Sequence, residues 1–411
     1  MSEAATAVAA RPITSHIDAP AWRAWCLILA LMAGAPFAAL VFSVTQPILP
    51  AIAQGFGTGT GATLMAQLFT TMPDIGLVAG GVVGGLLVDR LGARPVWFGA
   101  LVLYALSGSA GMVVEQPVVL LVSRLLLGFA SIAFTTASYW IMGTIFSGQA
   151  RMNLLGYRQS LAGIAGLAGV LASGAIAEAY GWRGSFVIYL LAGLVVAPFA
   201  AISATLLAMP ARAPEPAEKG SLVGLWKLYL GVLLVGLVGS ITVTQMPFLL
   251  AQNGVTSPAV ISRVAGVSLL ATMLSAALFG QIRSRLGPQR SLLLIVAAMA
   301  AGLLVMGAST GVIGIGFGAF LMGISAGLFT PYFAHLVLER APEAIRGRAV
   351  GLVPTSIYIG NFLNPVLFLP LRQALGMGPA MISVGTAMAL ALIGLIFWMR
   401  RHGEMPAGAR P

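Results

Sequence analysis

Long apolar runs separated by short polar breaks are the dominant pattern of the chain. Between residues 24 and 88 the only charged side chain is Asp74, and the stretch QGFGTGTGAT (54–63) divides that length into two runs. About 20 apolar residues cross the core of a bilayer as a helix. The pattern predicts twelve transmembrane helices, over residues 24–50, 63–87, 96–114, 118–146, 155–180, 185–209, 223–252, 260–281, 291–309, 311–338, 349–371 and 377–399.

The composition supports a membrane location for these helices. Of the 411 residues, 59% are hydrophobic and only 8% are charged, whereas a soluble domain carries about 25% charged residues. So few charges cannot cover the surface of a protein of this size in water, and a lipid bilayer is the solvent that suits it. The sequence therefore predicts an all-α integral membrane protein that lies in a lipid bilayer.

The basic residues give the chain an orientation. The formal net charge is +11, from 22 Lys and Arg against 11 Asp and Glu. Most of the basic residues fall in one alternate set of short loops, and such loops face the cytoplasm in membrane proteins. We therefore predict a multi-pass protein of the cell's inner membrane with both termini in the cytoplasm. Because the positive charge is scattered along the chain, we expect no nucleic-acid partner.

The chain also repeats itself at an offset of 195 residues. Matching pairs are Gly85 and Gly280, Arg90 and Arg285, Gly92 and Gly287, Gly128 and Gly323, Phe134 and Phe329, and Arg151 and Arg346. Parallel repeats of this kind place a substrate site between two halves, near the middle of the membrane. The predicted divisions are a cytoplasmic tail over 1–20, a six-helix bundle over 21–209, a linker over 210–221, a second six-helix bundle over 222–400 and a tail over 401–411.

Charged residues at the end of the second predicted helix form a motif, Gly85-x3-Asp89-Arg90-x-Gly92-x-Arg94. The motif resembles the signature of the loop between helices 2 and 3 in the major facilitator superfamily. The resemblance extends over nearly the whole chain. It implies two pseudo-symmetric six-helix bundles that rock about a central cavity and carry a small-molecule substrate. We expect a monomer.

The motif is predicted to act as a gate between the two halves. A carboxylate at a helix end accepts bonds from arginine and from the N-terminal amides of a facing helix. By analogy with the family, the facing helix begins near Gly351, and Asp89 would contact it only when the cytoplasmic side is closed. The alternative is an interfacial charge cluster that only orients the protein in the membrane.

Two ionisable residues inside the predicted helices are candidates for coupling transport to protons. Asp74 lies roughly 20 Å from the cytoplasmic interface, where a bare charge is costly. It would carry a proton, balance a cationic substrate, or only bond to a neighbouring helix. Arg124 would pair with Asp74, border a proton path or hold an anionic substrate; the alternative is a structural side chain whose stem reaches the outer interface.

Polar and aromatic residues in the cavity-lining helices are candidates for substrate binding. Asn and Gln are unfavourable in lipid without a partner, so they are expected to face inward. Any of them would instead serve only to hold helices together. The candidates are Gln46, Tyr139, Trp140, Gln245, Tyr332, His335, Tyr358 and Asn361. Arg158 and Glu178, near opposite ends of the fifth helix, are predicted to lie at the membrane interfaces.

The sequence has no phosphate loop, no metal-ligand spacing and no catalytic triad, so we expect neither an enzyme nor a bound cofactor. We predict a secondary active transporter that works by alternating access, with proton-coupled efflux of a small organic solute as the first choice. The fifth helix, GIAGLAGVLASG (163–174), lacks the Gly-Pro pair of many drug exporters of the family. The alternative is uptake or exchange of a small organic anion that Arg124 would bind.

Overall fold

The computed structural model describes residues 17, 19–57, 59–146, 148–207, 223–341 and 346–402. Within these ranges the regular structure is entirely helical. Most of the predicted N-terminal tail, the whole linker over 210–221 and nearly all of the C-terminal tail lie outside the described residues.

In the described part of the chain, eleven helices are long and apolar enough to cross a membrane. One of them contains two spans, because Gly287 has a left-handed φ of +74° and bends the chain between them. The prediction of twelve spans is therefore confirmed, and we number them in chain order. They are Ala21–Gly55, Thr60–Leu91, Ala93–Met112, Pro117–Ile145, Gly148–Tyr180, Trp182–Leu206, Trp226–Gln252, Pro258–Ala308 (spans 8 and 9), Val312–Arg340, Arg346–Leu375 and Met377–His402.

Several helices are longer than their predicted limits. Span 2 exceeds 63–87 at both ends, and span 5 begins at Gly148 instead of residue 155. An apolar run marks the part of a helix inside the lipid, whereas the hydrogen-bonded helix continues into the interface. Asp89 consequently lies within span 2, and Gly92, with a φ of +87°, ends that helix.

Spans 1 and 7 are interrupted at the same repeated motif, VTQP (44–47) in one and VTQMP (243–247) in the other. In span 1 the interruption is a 3₁₀ turn, Gln46–Ile48. In span 7 it falls between Ile241–Thr244 and Met246–Gln252. Proline has no backbone N–H to give to the preceding turn. The interruptions therefore leave backbone carbonyls that can accept bonds from side chains of other helices.

Glycines bring the helices of each half together at equivalent positions. A Cβ atom at Gly128 of span 4 would overlap the backbone carbonyl of Pro73 in span 2. A Cβ atom at Gly323 of span 10 would overlap the carbonyl of Ser268 in span 8 in the same way. Both pairs are related by the 195-residue offset. The two halves therefore repeat one close helix contact, as pseudo-symmetric bundles require.

We predict that Gly128→Ala destabilises the protein and that Gly81→Ala does not. The added methyl at 128 meets a backbone carbonyl, and overpacking of this kind costs about 1–3 kcal/mol. A Cβ at Gly81, in span 2 of the same half, meets no atom within 4 Å. Thermal unfolding of the purified protein in detergent measures both effects. Equal melting temperatures for the two variants would contradict the close contact.

Candidate functional site

A cavity of about 260 Å³ lies between the two halves. Spans 1 and 2 of the first half and spans 7, 9, 10 and 11 of the second half form its walls. The wall is apolar, apart from several hydroxyl groups, the amide of Asn361 and the carboxyl of Asp74. Among the described residues, Asp74 is the one ionisable side chain on this wall. The structure therefore brings these two predicted residues together at the interface of the halves.

Asp74 is buried in the middle of span 2, with 1% of its surface exposed. It lies 15 residues before Asp89 on the same helix, which is about 22 Å at the rise of an α-helix. One carboxyl oxygen, Oδ1, is 3.5 Å from Nδ2 of Asn361 in span 11. The other, Oδ2, has no hydrogen-bond partner among the described residues. One weak bond across the halves is thus the polar contact that this carboxyl makes.

The amide of Asn361 has two usable orientations. In the first, its Nδ2 faces the carboxyl of Asp74. In the reversed orientation, that nitrogen donates to the carbonyls of Gly236 at 3.1 Å and Ile357 at 3.3 Å, and the amide oxygen faces Asp74 instead. An oxygen can bond to the carboxyl only if the carboxyl carries a proton. The Asp74–Asn361 contact can therefore accommodate both protonation states by rotation of one amide.

A network of amide side chains closes one end of the cavity. Nε2 of Gln46 donates to the carbonyl of Thr242 at 3.1 Å. Nε2 of Gln67 donates to Oε1 of Gln245 at 2.7 Å and to the carbonyl of Thr244 at 3.3 Å. The accepting carbonyls lie beside the interruption of span 7. The structure thus places Gln46 and Gln245, both predicted to bind substrate, in contacts that join the halves.

The hydrogen bonds that join the two halves in the described structure are concentrated toward one end of the molecule. We name the ends by their turns: the basic end has the turn after span 2, and the far end has the turn after span 5. At the far end, Oε2 of Glu178 accepts a bond from the Ser257 hydroxyl at 2.8 Å. At the basic end, a Cβ atom added to Gly85 or to Gly351 would meet nothing within 4 Å. Every hydrogen bond between described residues that joins the halves lies at Asp74 or on its far-end side.

The predicted gating residues lie at the basic end. Asp89, Arg90 and Arg94 are exposed, and Gly85 and Gly92 are half-buried. Within the described ranges, no hydrogen bond or ion pair joins Asp89 to another side chain. Among the residues that the structure describes near Gly351, none bonds to this motif.

The predicted aromatic residues lie in different surroundings, some near the cavity wall and some packed against other helices. The ring of Tyr358 stacks on Phe42, a wall residue, with 6.4 Å between the ring centres. Tyr139 is 45% exposed and lies against the guanidinium of Arg158. Trp140 is half-buried against the core of the first half and does not line the cavity.

Two candidates in span 10 lie away from the cavity. Tyr332 is buried in the core of the second half, edge-on to the ring of Phe333. His335 is exposed, with Nε2 at 2.9 Å from the carboxylate of Glu339 one helical turn away. Helical spacing places both residues on the part of span 10 near the basic end, where the helix contacts its own half or solvent.

Arg124 is fully buried inside the first half and does not contact Asp74. One of its terminal nitrogens, Nη2, donates to the carbonyls of Ser107 at 2.8 Å and Gly108 at 2.7 Å. Its guanidinium also lies 4.9–5.3 Å from the ring centres of Phe69, Phe186 and Tyr189. These carbonyls and rings stabilise a cation without any anion. The arrangement has the form of a structural tie between spans 3 and 4.

Arg158, which was expected at a membrane interface, is buried among the helices, with 1% of its side chain exposed. Span 5 begins at Gly148, so Arg158 lies about 15 Å along the helix axis from that end. An arginine on a helix that extends well before its apolar run is the sequence signal for such burial.

Comparisons with known proteins agree with this architecture. Residues 31–365 match the family model described as Major Facilitator Superfamily. A 3-(3-hydroxy-phenyl)propionate transporter of Escherichia coli (strain K12) is 28% identical over 356 residues, which are 81% of this chain and 84% of that protein.

Solved structures share the fold at low sequence identity. A peptide transporter, POT, in complex with sulfate superposes with a TM-score of 0.72 at 14% identity, over 91% of this chain and 94% of that one. The xylose transporter from E. coli in an inward open conformation gives 0.68 at 14% identity, over 94% and 98%. A bacterial homologue of the human lysosomal transporter Spinster gives 0.70 at 17% identity, over 95% and 100%.

We predict that Arg124→Gln lowers stability and leaves substrate binding intact. The change removes two buried bonds to carbonyls of span 3, and each buried group left unpaired costs about 1–3 kcal/mol. Arg263→Gln, at an exposed position in span 8, is the matched control and should leave the melting temperature unchanged. A stable Arg124→Gln protein that no longer binds solute would instead place Arg124 in the binding site.

Proposed function

The chain belongs to the major facilitator superfamily of secondary transporters, and we propose that it moves a small aromatic carboxylate together with a proton through the central cavity. The observation that carries this proposal is the position of Asp74, which is buried at the contact between the halves. An ionised carboxyl is costly in such a place unless a proton or a cation compensates its charge. Transport that exposes Asp74 to each side in turn would therefore carry a proton with it.

The contact with Asn361 supplies a physical link between the proton and the two halves. Asp74 belongs to span 2 and Asn361 to span 11, so their bond joins one half to the other. Gain or loss of a proton changes which amide orientation can bond to the carboxyl. The proton on Asp74 would thus bias how the halves meet, which is the requirement for coupling transport to a proton gradient.

Three features support an aromatic acid as the substrate. The cavity wall is mainly apolar and includes the rings of Phe42 and Phe329, which suit an aromatic ring. Its volume of about 260 Å³ suits a small solute. The E. coli relative, aligned over most of both chains, is a transporter of 3-(3-hydroxy-phenyl)propionate, which is an aromatic carboxylate. Because one chain supplies both halves of the cavity, a monomer suffices.

Uptake is the proposed direction. With the basic end in the cytoplasm, as the charge distribution of the loops favours, the hydrogen bonds that join the halves lie toward the outside, and the cavity would open to the inside. A carboxylate and a proton that load outside would leave together on that side. The inner membrane is the location that fits this orientation and a proton gradient across it.

Export of an amphiphilic cation, the direction that the sequence first favoured, is the second candidate. One observation favours it, namely that the ionisable side chain on the described wall is an acid. A bound cation would balance Asp74 as a proton does, so the two would compete for the site and exchange across the membrane.

The gate proposed for the basic end consists of Gly85, Asp89, Arg90, Gly92 and Arg94. In the closed state Asp89 would accept bonds at the start of span 11, near Gly351. Open space around Gly85 and Gly351 in this conformation leaves room for that approach.

We predict that Asp74→Asn abolishes proton-driven accumulation and preserves exchange. Purified protein in liposomes would accumulate radiolabelled 3-(3-hydroxyphenyl)propionate when the outside is made acidic, beyond what protein-free liposomes take up. The Asn variant carries no exchangeable proton, so its uptake should fall to the protein-free level, while counterflow at equal pH continues. Glu115→Gln, at an exposed loop position, is the control and should behave as the original protein does.

Two results would count against this proposal. Proton-driven accumulation by Asp74→Asn at the original rate would show that another group carries the proton. If the original protein moved no carboxylate but exchanged a lipophilic cation for protons, the second candidate would replace the first.

We predict that cysteines at 85 and 351 form a disulfide only when the basic end closes. In a Cys26→Ser background, the far-end pair Glu178→Cys and Ser257→Cys should cross-link readily without substrate, because these side chains already touch. The pair at 85 and 351 should cross-link little until substrate is added. Adding Asp89→Asn should lower the substrate-dependent yield. Full cross-linking of 85 to 351 without substrate, and with either residue at 89, would rule out the proposed gate.

A further inference from the structure

Arg158 is a buried cation without a protein acceptor. Its side chain is 1% exposed, and none of its three guanidinium nitrogens has a hydrogen-bond partner in the described structure. Arg124 is buried to the same degree but donates to two carbonyls. A buried, unpaired guanidinium is costly, so its retention calls for a partner that is outside the chain.

An aromatic ring packs against the guanidinium of Arg158, but no anion of the described residues contacts it. The ring of Tyr139 in span 4 lies 4.1 Å from the guanidinium carbon and covers one face of the group. None of the acidic residues in the described ranges forms an ion pair with Arg158. A cation–π contact leaves the N–H groups at the edge of the guanidinium plane free to donate. The ring therefore stabilises one face of the guanidinium plane, while the N–H groups along the edge of the plane have no acceptor.

Gly34 of span 1 makes room for this guanidinium. A Cβ atom at position 34 would overlap Nη2 of Arg158. The neighbouring hydroxyl of Thr135 donates to the carbonyl of Gly34 at 3.0 Å, so that carbonyl already has a donor. Spans 1, 4 and 5 thus form a recess fitted to an arginine and supply no acceptor for it.

The recess lies beside the central cavity. Tyr139, which covers Arg158, is itself 45% exposed. The ring of Tyr358 in span 11 stacks on Phe42 of the cavity wall. Span 1 borders both the recess, through Gly34, and the cavity, through Phe42.

We propose that Arg158 binds the carboxylate of the transported solute, with Tyr139 covering the guanidinium face. A carboxylate offers two oxygens that match two parallel N–H groups of an arginine. Bound at the edge of Arg158, it leaves the solute's apolar part directed toward Phe42 and the cavity. This assignment rests on the proposed function, and it replaces Arg124 with Arg158 as the anion-binding residue.

The test is equilibrium binding of 3-(3-hydroxyphenyl)propionate and of its methyl ester to the full-length protein in detergent, by calorimetry. Arg158→Gln should weaken binding of the acid about 30-fold or more, as expected for loss of one partner of a desolvated charge pair. The ester, which carries no charge, should bind both proteins alike. Arg263→Gln is the matched control and should bind both compounds as the original protein does.

Arg158→Lys keeps the positive charge near Tyr139 but cannot form two parallel bonds, so its affinity for the acid should lie between those of the original protein and Arg158→Gln. This variant serves as the test if Arg158→Gln does not fold. Gly34→Ala, which displaces the guanidinium, should weaken binding of the acid and not of the ester.

The outcomes separate this assignment from the proposed function. If the original protein binds the acid and both Arg158 variants bind it equally well, the assignment is overturned and the proposed function stands. If the variants weaken binding of acid and ester to the same extent, Arg158 has a structural role and the assignment is again overturned. If the original protein neither binds nor transports the acid, the proposed function fails and the assignment with it.

Discussion

The cost of a charge in a low-dielectric interior organises this molecule. Three acidic or basic side chains of the described structure are almost fully buried, namely Asp74, Arg124 and Arg158. Arg124 is compensated within its own half, by carbonyls of span 3 and by aromatic rings. Asp74 and Arg158 are not: Asp74 lies on the cavity wall between the halves, and Arg158 is the residue proposed to bind the solute. Uncompensated charge is therefore concentrated where a solute and a proton could compensate it.

Between Asp74 and the far-end contact of Glu178, the hydrogen bonds that join the halves are made by neutral groups, which has a physical consequence. Gln46 and Gln67 bond to carbonyls beside the interruption of span 7, and Gln67 also bonds to Gln245. A neutral hydrogen bond contributes only about 1 kcal/mol, because the groups can bond to water when it breaks. Ion pairs at the same depth would hold the halves together more strongly. These amide hydrogen bonds can therefore break once in each transport cycle at a small cost in free energy.

The sequence was sufficient for features that depend on composition and repetition. The apolar runs predict the twelve spans, and a lone carboxyl in a long apolar run identifies Asp74 before any contact is known. Spans 1 and 7 are interrupted at the VTQP and VTQMP motifs, since proline cannot continue the hydrogen bonding of a helix.

Features that depend on which face of a helix meets which neighbour could not be predicted in this way. Arg124 and Arg158 are both arginines inside helices and both are buried, but the sequence did not distinguish the one that has acceptors from the one that has none. The difference lies in their acceptors, since Arg124 meets free carbonyls at the end of span 3 while Arg158 meets a ring and a glycine. Likewise, Gln245 and Asn361 are amides in cavity-lining helices, but only Asn361 lies on the described wall.

The proposed pair of sites also gives a reason for coupled movement. With the solute absent and Asp74 ionised, the negative Asp74 and the positive Arg158 sum to zero. With the carboxylate at Arg158 and a proton on Asp74, the sum is again zero. A carboxylate without the proton leaves a net negative charge, and a proton without the carboxylate leaves a net positive one. Because an uncompensated charge is unfavourable when the cavity closes off from water, only the empty and the doubly loaded forms would change conformation readily. Two single charges, both on the first half and both compensated only when proton and solute are bound or absent together, thus suffice to make a symporter.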